Sequence, residues 1–404
     1  MPHRILFISN GHGEDNHSSY IIRRLQLLRP ELEFAAIPIV GHGRAYSKLG
    51  IPIKAPTMTL PSGGFTFMNQ WKLVDDFRAG LLQLTLKQIQ AVRREAPHYD
   101  LVFATGDGVG QSFAWISGKP FFAFISTLSA LYEGRLPIDW VLGAAVRSHR
   151  CQAVFTRDAY TAEDLKRQGI TKARFGGIPF LDWMQPQGKD LQLKPDRPML
   201  AMLPGSRLPE ARRSLQQLLS LALEIAQRNP NVQFRAALVG DLMTQLPAVA
   251  AEADWRCEQC ASVAWLSHTI DGHPVEVGCY SNAFSDIVCA STLVLGMAGL
   301  AVDQSAAIGK PVLLIPGQGP QFTYAFAEAQ SRLLGLNARM VGTGPATSED
   351  LKQAAEIALE TLNDADYLAA CVKNGEERFG PYGGSYRMAQ AVIDFLDGME
   401  KGEP

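Results

Sequence analysis

The sequence predicts an α/β protein of two doubly wound, parallel-sheet, Rossmann-like domains. Three observations predict it. Short apolar runs alternate with helical stretches along the chain. Each half opens on a strand that ends in a glycine loop. One phrase recurs late in each half. Unbroken apolar strands separated by helices belong to parallel sheets covered on both faces. At 404 residues the chain is also too long for one ordinary core.

In the first half, Ile5–Ser9 reads as a strand, Gly11–Glu14 as a loop, Ser18–Leu28 as a helix and Phe34–Pro38 as the second strand. From Lys72 to Arg94, Val74, Phe77, Leu81, Leu84 and Ile89 fall near one helical face. Leu101–Ala104, Phe121–Ile125, Ala153–Thr156 and Ala173–Phe175 are further strands. Residues 185–198 turn to Gln, Gly, Lys, Asp and Pro and read as a linker. Beyond it, Met199–Leu203, Phe234–Val239, Val275–Val277, Leu293–Leu295 and Val312–Ile315 repeat the alternation. The expected domains are 1–184 and 199–380, with a final helix in 381–404 that can pack back on the first. The recurring phrase is Ala114 to Phe121 against Ala306 to Val312. In both, a helix ends at glycine, proline forbids its continuation, and a strand begins.

Composition bounds the function. Hydrophobic residues make up 47 % and charged residues 19 %, a globular balance. A formal net charge of −2 with no long basic run argues against a nucleic-acid partner. The six cysteines are scattered, as in a reducing compartment. Cys257 and Cys260 have metal-ligand spacing, but no second pair follows, so they read as loop cysteines and no metal is expected. Met1 to Asn10 is too short an apolar run for a signal peptide, and nothing reaches the roughly 18 to 20 apolar residues of a membrane span. The expectation is a cytoplasmic protein, soluble or peripheral at a membrane. Met58 to Trp71 carries Phe65, Phe67, Met68 and Trp71 in a glycine-containing loop, which suits either a lipid contact or core packing.

Five loops carry chemistry. Leu203 to Glu210 follows a strand and precedes a helix. Its glycine lets the backbone approach a diphosphate, the amides of a helix start point at the anion, and Arg207 adds a charged fork. Ser9 to Ser19 packs His12, His17, Glu14 and Asp15 at a strand tip, more than a turn needs, although Ser18 or Ser19 could cap the helix. Thr105 to Gly110 places Asp107 between glycines, as a general base or as a helix cap. Gly296 to Gln304 is a small-residue turn opening a helix, with Asp303 and Gln304 placed for ribose hydroxyls. Pro316 to Thr323 offers Gln318 and Gln321 for hydroxyl recognition.

Leu203–Glu210 resembles the LPGSRxxE motif of lipid-A-disaccharide synthases, GT-B glycosyltransferases that move a sugar from a UDP-sugar to a glycolipid. The resemblance runs nearly the length of the chain, through Gly13-Glu14, Val40 to Gly50, Phe175 to Asp182 and Gly380 to Ser385. It implies two lobes facing across a cleft, with no cofactor and no metal. It implies an inverting transfer of a hexose or N-acetylhexosamine to a lipid or glycolipid at the membrane face. Gly205, Ser206, Arg207, Glu210, Gly299, Asp303, Gln304 and Gln321 would serve the donor, and Gly11, Gly13, His17 and Gly106 the acceptor. Asp107 or Glu14 would be the base, with His12 and His17 in reserve. The chain also departs from the family. Its first loop reads Gly-Glu-Asp-Asn-His-Ser, and Gln304 stands where related transferases hold the ribose with glutamate. The family's catalytic aspartate has no unambiguous counterpart, Asp107 being the nearest. The resemblance therefore implies a divergent branch. A UDP-sugar 2-epimerase and a non-catalytic sugar-nucleotide or lipid-binding protein are the alternatives.

Overall fold

The computed structural model describes residues 2–57, 81–260, 263–270, 272–318 and 322–401. Met58 to Trp71, the start of the 72–94 helix and Gln321 lie outside the described residues. The chain divides into two units, Met1–Trp183 with Phe379–Pro404, and Met184–Arg378.

The first unit is built on β1 (Arg4–Ser9), β2 (Glu33–Pro38), β3 (Leu101–Gly106), β4 (Phe121–Ile125), β5 (Cys151–Thr156) and β6 (Ala173–Phe175), in the spatial order β2-β1-β3-β4-β5-β6 and parallel throughout. The apolar runs locate all six to within about two residues. Alternation along each strand feeds two cores. Leu6, Ile8, Val102, Ala104, Ala123 and Ile125 pack on one face with Phe113, Leu142 and Val146. Phe7, Phe103, Phe122 and Phe155 form a stacked aromatic row on the other. Over that row lie Met388, Ala389, Val392 and Leu396 of the last helix, Gly384–Lys401. Each such side chain stabilises by about 1.5–3 kcal/mol when fully buried. Asp182 holds the start of this helix, accepting from the amides of Gly383 and Ser385 and from the Ser385 hydroxyl.

The second unit contains β7 (Met199–Leu203), β8 (Gln233–Ala237), β9 (Arg256–Cys260), β10 (Val263–Ile270), β11 (His273–Tyr280), β12 (Leu293–Gly296), β13 (Val312–Leu314) and β14 (Ala338–Met340). Their order is β14-β13-β12-β7-β8-β11-β10-β9. The expected all-parallel sheet holds from β14 to β11. β10 then runs antiparallel to both β11 and β9, with Ile270 paired to His273. Cys257 therefore lies on an edge strand and not in a loop. Among the described residues no three metal-binding side chains gather, and no helix is long and apolar enough to cross a membrane.

The stretch 185–198, read from its composition as a linker, is a strap bound to the second unit. Asp286 Oδ1 accepts from the amides of Gln187 and Lys189. The Gln233 side chain exchanges hydrogen bonds with Lys194 N, Lys194 O and Arg197 O. Arg235, only 3 % exposed, donates to the carbonyls of Leu191 and Gln192. These side chains hold the strap by its backbone, while most of its own polar side chains stay exposed.

Candidate functional site

In the first unit the chain leaves β1 for β2 on one side, while β3 lies on the other. That reversal is a topological switch point, where the carboxyl ends of parallel strands leave a crevice for ligands. Both acceptor-side loops meet there. Asn10 N donates to Thr105 O at 3.2 Å, and Asn10 Nδ2 donates to Asp107 Oδ2 at 3.0 Å. Gly106 sits at φ +137°, and a Cβ on it would come within 2.9 Å of Asn10 Cβ. Glu14 lies in the same crossing. Its Oε1 accepts the Thr127 hydroxyl proton at 2.6 Å. A Cβ on Gly11 would stand 3.0 Å from its Oε2, and one on Gly106 3.5 Å from its Cγ. The His12 ring lies against Gly41, and the space beside Gly13 is open.

The local structure of this loop differs from the sequence reading. The helix begins at His12, capped by Gly11, and runs to Leu28. Ser18 and Ser19 are therefore not caps. Ser18 Oγ donates to Thr105 Oγ1 at 2.8 Å, and Ser19 Oγ to Asn16 O at 2.7 Å. Asp107 caps the helix Gly108–Ile116, its Oδ1 accepting from Val109 N at 2.9 Å. With Asn10 on Oδ2, both of its oxygens are engaged in holding the loops. Burial raises its pKa. His17 is not on the open face. It is 8 % exposed, stacked on Phe180 and edge-on to Phe124. Burial, and then the Arg157 charge, push its pKa down to about 3, so it is neutral and packed in the core rather than poised for an acceptor.

The second unit repeats the arrangement. β7 lies between β8 and β12, another switch point. The loop after β7 meets the loop after β12: Met297 N donates to Leu203 O at 2.9 Å. Gly205, at φ +97°, packs so closely that a Cβ would stand 3.2 Å from Met297 O. Ser206 beside it is exposed, and Arg207 is half-buried. The helix itself begins only at Glu210, so the amides of 205–207 belong to the loop and not to a helix start. Arg207 O accepts from Ala211 N, and Glu210 stands 3.8 Å from Arg213.

Gly299 caps the helix Leu300–Ala307. Of the two ribose candidates, Gln304 is 7 % exposed and Asp303 half-buried, so Asp303 is the one a ligand can reach. Gln330, which the sequence reading passed over, donates to both Gly299 O and Asp303 Oδ1. Its signal was a polar residue at a core position, between Ala327 and Leu333, both buried, in the helix Tyr324–Leu334. Phe322 sets its ring against Phe326, and its carbonyl accepts from Gly317 N at 2.9 Å.

No family model matches the chain. In structure it is similar to the calicheamicin glycosyltransferase CalG4, with a TM-score of 0.60 at 14 % identity over 98 % of each chain. It is also similar to a UDP co-structure of Staphylococcus aureus MnaA, with a TM-score of 0.58 at 14 % identity over 98 % of this chain and 97 % of that one. The fold is GT-B. In sequence this GT-B chain aligns with a lipid-A-disaccharide synthase of Azoarcus sp. (strain BH72), 24 % identical over 348 residues, 83 % of this chain and 77 % of the relative. It is a divergent relative of that protein. Each GT-B unit thus carries its glycine loops at the switch point of its own sheet.

Proposed function

We propose that the protein is an inverting, metal-independent glycosyltransferase that moves a hexose or N-acetylhexosamine from a UDP-sugar to a lipid or glycolipid. The observation that carries the donor half is Gly205, held at φ +97° against Met297 O with Ser206 and Arg207 following it. That close approach of two strand-tip loops suits a diphosphate, and Asp303, oriented by Gln330, suits a ribose hydroxyl. As the sugar C1–O bond breaks, its electron pair goes to the diphosphate. Loop amides and Arg207 would stabilise the growing negative charge without a cofactor. Glu14 is our choice of base, since both Asp107 oxygens already hold the loops. It would take the proton of the acceptor hydroxyl as that oxygen forms its bond to C1 from the face opposite the leaving UDP. His12, beside it, would line the acceptor. The lipid acceptor and a membrane-face location rest on the likeness to lipid-A-disaccharide synthase.

The experiment offers a panel of UDP-sugars with extracted membrane lipids and measures UDP release and new glycolipid. Arg207→Ala should weaken UDP binding by about tenfold to a hundredfold, the loss of a hydrogen bond between charged groups. A variant that binds UDP like wild type removes the donor from this loop. The chain also resembles a UDP-GlcNAc 2-epimerase of Neisseria meningitidis bound to UDP-GlcNAc, with a TM-score of 0.56 at 12 % identity over 97 % of this chain and all of that one. Conversion of UDP-GlcNAc with no lipid present would favour that reading. UDP binding without turnover on any acceptor would favour a binding protein.

A further inference from the structure

Next to Glu14 stands a second carboxyl with a different environment. Asp15 is 1 % exposed. Its Oδ1 accepts the Ser9 hydroxyl proton at 2.6 Å, and Ser9 Oγ lies 2.6 Å from the Tyr46 hydroxyl. Its Oδ2 has no hydrogen-bond partner. Tyr46 is fully buried in the short helix Arg44–Ser47, which Gly43 caps. The chain Tyr46–Ser9–Asp15 therefore ties three things together under the site: the tip of β1, the first turn that carries His12 and Glu14, and the glycine turn on which His12 rests.

The charges around Asp15 decide its state. The titratable groups that bear on it are Glu14 in its own turn and Tyr46 from the facing helix, and β1 adds the neutral hydroxyl of Ser9. Among the described residues no cation pairs with it. A buried carboxylate with one oxygen unpartnered is costly, and a neighbouring carboxylate adds to the cost. Burial outweighs the Ser9 hydrogen bond, Glu14 adds to the effect, and the Asp15 pKa is pushed up to about 7.

We propose that Asp15 is a positioning residue that works as the neutral acid, fixing the turn that carries His12 and Glu14 and sparing Glu14 a second negative charge beside it. The inference rests on the reading of Glu14 as the base. Ionisation of Asp15 would set two carboxylates on consecutive residues and leave a buried charge with half its hydrogen bonds. Both effects displace the turn and move Glu14 away from the acceptor.

Asp15→Asn keeps the shape and the acceptor for Ser9 but cannot ionise. Unfolding and UDP release are measured on the full chain from about pH 5 to about pH 9. Wild type should lose stability as pH rises towards 7, because the folded state binds a proton that the unfolded state has released. Asp15→Asn should lack that slope. Wild-type turnover should fall by roughly tenfold on the alkaline side, the effect of about one pH unit of titration, and Asp15→Asn should hold its rate. Parallel pH–stability curves overturn the proposal, as does an alkaline fall in turnover that survives in Asp15→Asn. If the variant does not fold, infrared spectra of wild type decide: a buried carboxylic-acid C=O band should be present at about pH 6 and fade above about pH 8, and its absence at the lower pH overturns the proposal. If wild type releases UDP with no acceptor, the transferase reading fails by itself, and the stability slopes still decide the state of Asp15.

Discussion

One amide nitrogen of Gln330 donates both to Gly299 O, at 2.9 Å, and to Asp303 Oδ1, at 3.0 Å. It joins the helix Tyr324–Leu334 to the cap of the helix Leu300–Ala307, and so orients the acid assigned to the ribose. Gln330 is 6 % exposed, which makes the tie stronger than a surface hydrogen bond of the same length.

Gln330→Met keeps most of the volume and deletes the donor. A hydrogen bond to a charged group is worth about 1.5–3 kcal/mol, so UDP affinity should fall by about tenfold or more. Isothermal titration calorimetry reads it. Unchanged affinity would take Asp303 out of the donor site.

Gly106→Ala addresses the first unit. The new Cβ would meet Asn10 Cβ at 2.9 Å on a backbone at φ +137°. The strain should cost about 1–3 kcal/mol in denaturant unfolding. The loop must also shift, which loosens the Asn10–Asp107 bond and moves Glu14. Turnover should therefore fall while UDP binding, which we propose for the other unit, stays near wild type. A variant as stable and as active as wild type would show that this crossing is not tightly packed.

His17 gives an acid-side signature. Its folded pKa of about 3 lies below the ordinary 6.5, because burial opposes the charged ring. The unfolded state therefore binds a proton that the folded state refuses, and stability is lost as pH falls from about 6.5 towards 3. The full loss is about 4–5 kcal/mol. His17→Phe fills the same stacked position and should lack this part of the acid limb. Urea titrations at stepped pH compare the two proteins, and coincident slopes would place the ring in contact with water.

The sequence reveals the strand tips well and the burial of single side chains poorly. All six strands of the first unit and both switch-point loops are visible as apolar runs ending in glycine. Such runs are local, and a parallel strand needs little else to be recognised. His17 and Asp15 look like site residues because they are polar and lie beside Glu14. On the helix that begins at His12 the two stand about 200° apart, and separate neighbours bury them: Ser9 meets Asp15, while Phe124 and Phe180 meet His17. Asp107 and Gln330 are tied by contacts from residues 97 and 27–31 places away, which no local pattern encodes. Of the hairpin of β10 and β11 only Val275–Val277 is read as strand, and β10 is missed because Ser267, His268 and Thr269 break its apolar run.

The strap 185–198 is where composition misleads most, and it yields a sharp test. Arg235 Nε and Nη2 hold the carbonyls of Leu191 and Gln192 at 2.6 and 2.7 Å, and its guanidinium stacks 4.9 Å from the Trp265 ring. The side chain passes over Gly278, where a Cβ would come within 2.9 Å of its Cδ. Arg235→Met should retain some of the stacking and release both carbonyls, a loss of about 2–3 kcal/mol. Trypsin supplies the readout. Lys194 and Arg197 each precede proline, which protects their bonds, so within the strap the exposed Lys189–Asp190 bond is the susceptible one. If cleavage follows local opening, 1.4 kcal/mol speeds it by about tenfold, and Arg235→Met should be cut there at least that much faster. Gly278→Ala, which crowds the same guanidinium, should move cleavage in the same direction by a smaller factor. Equal rates in wild type and Arg235→Met would mean that Asp286 and Gln233 hold the strap without it.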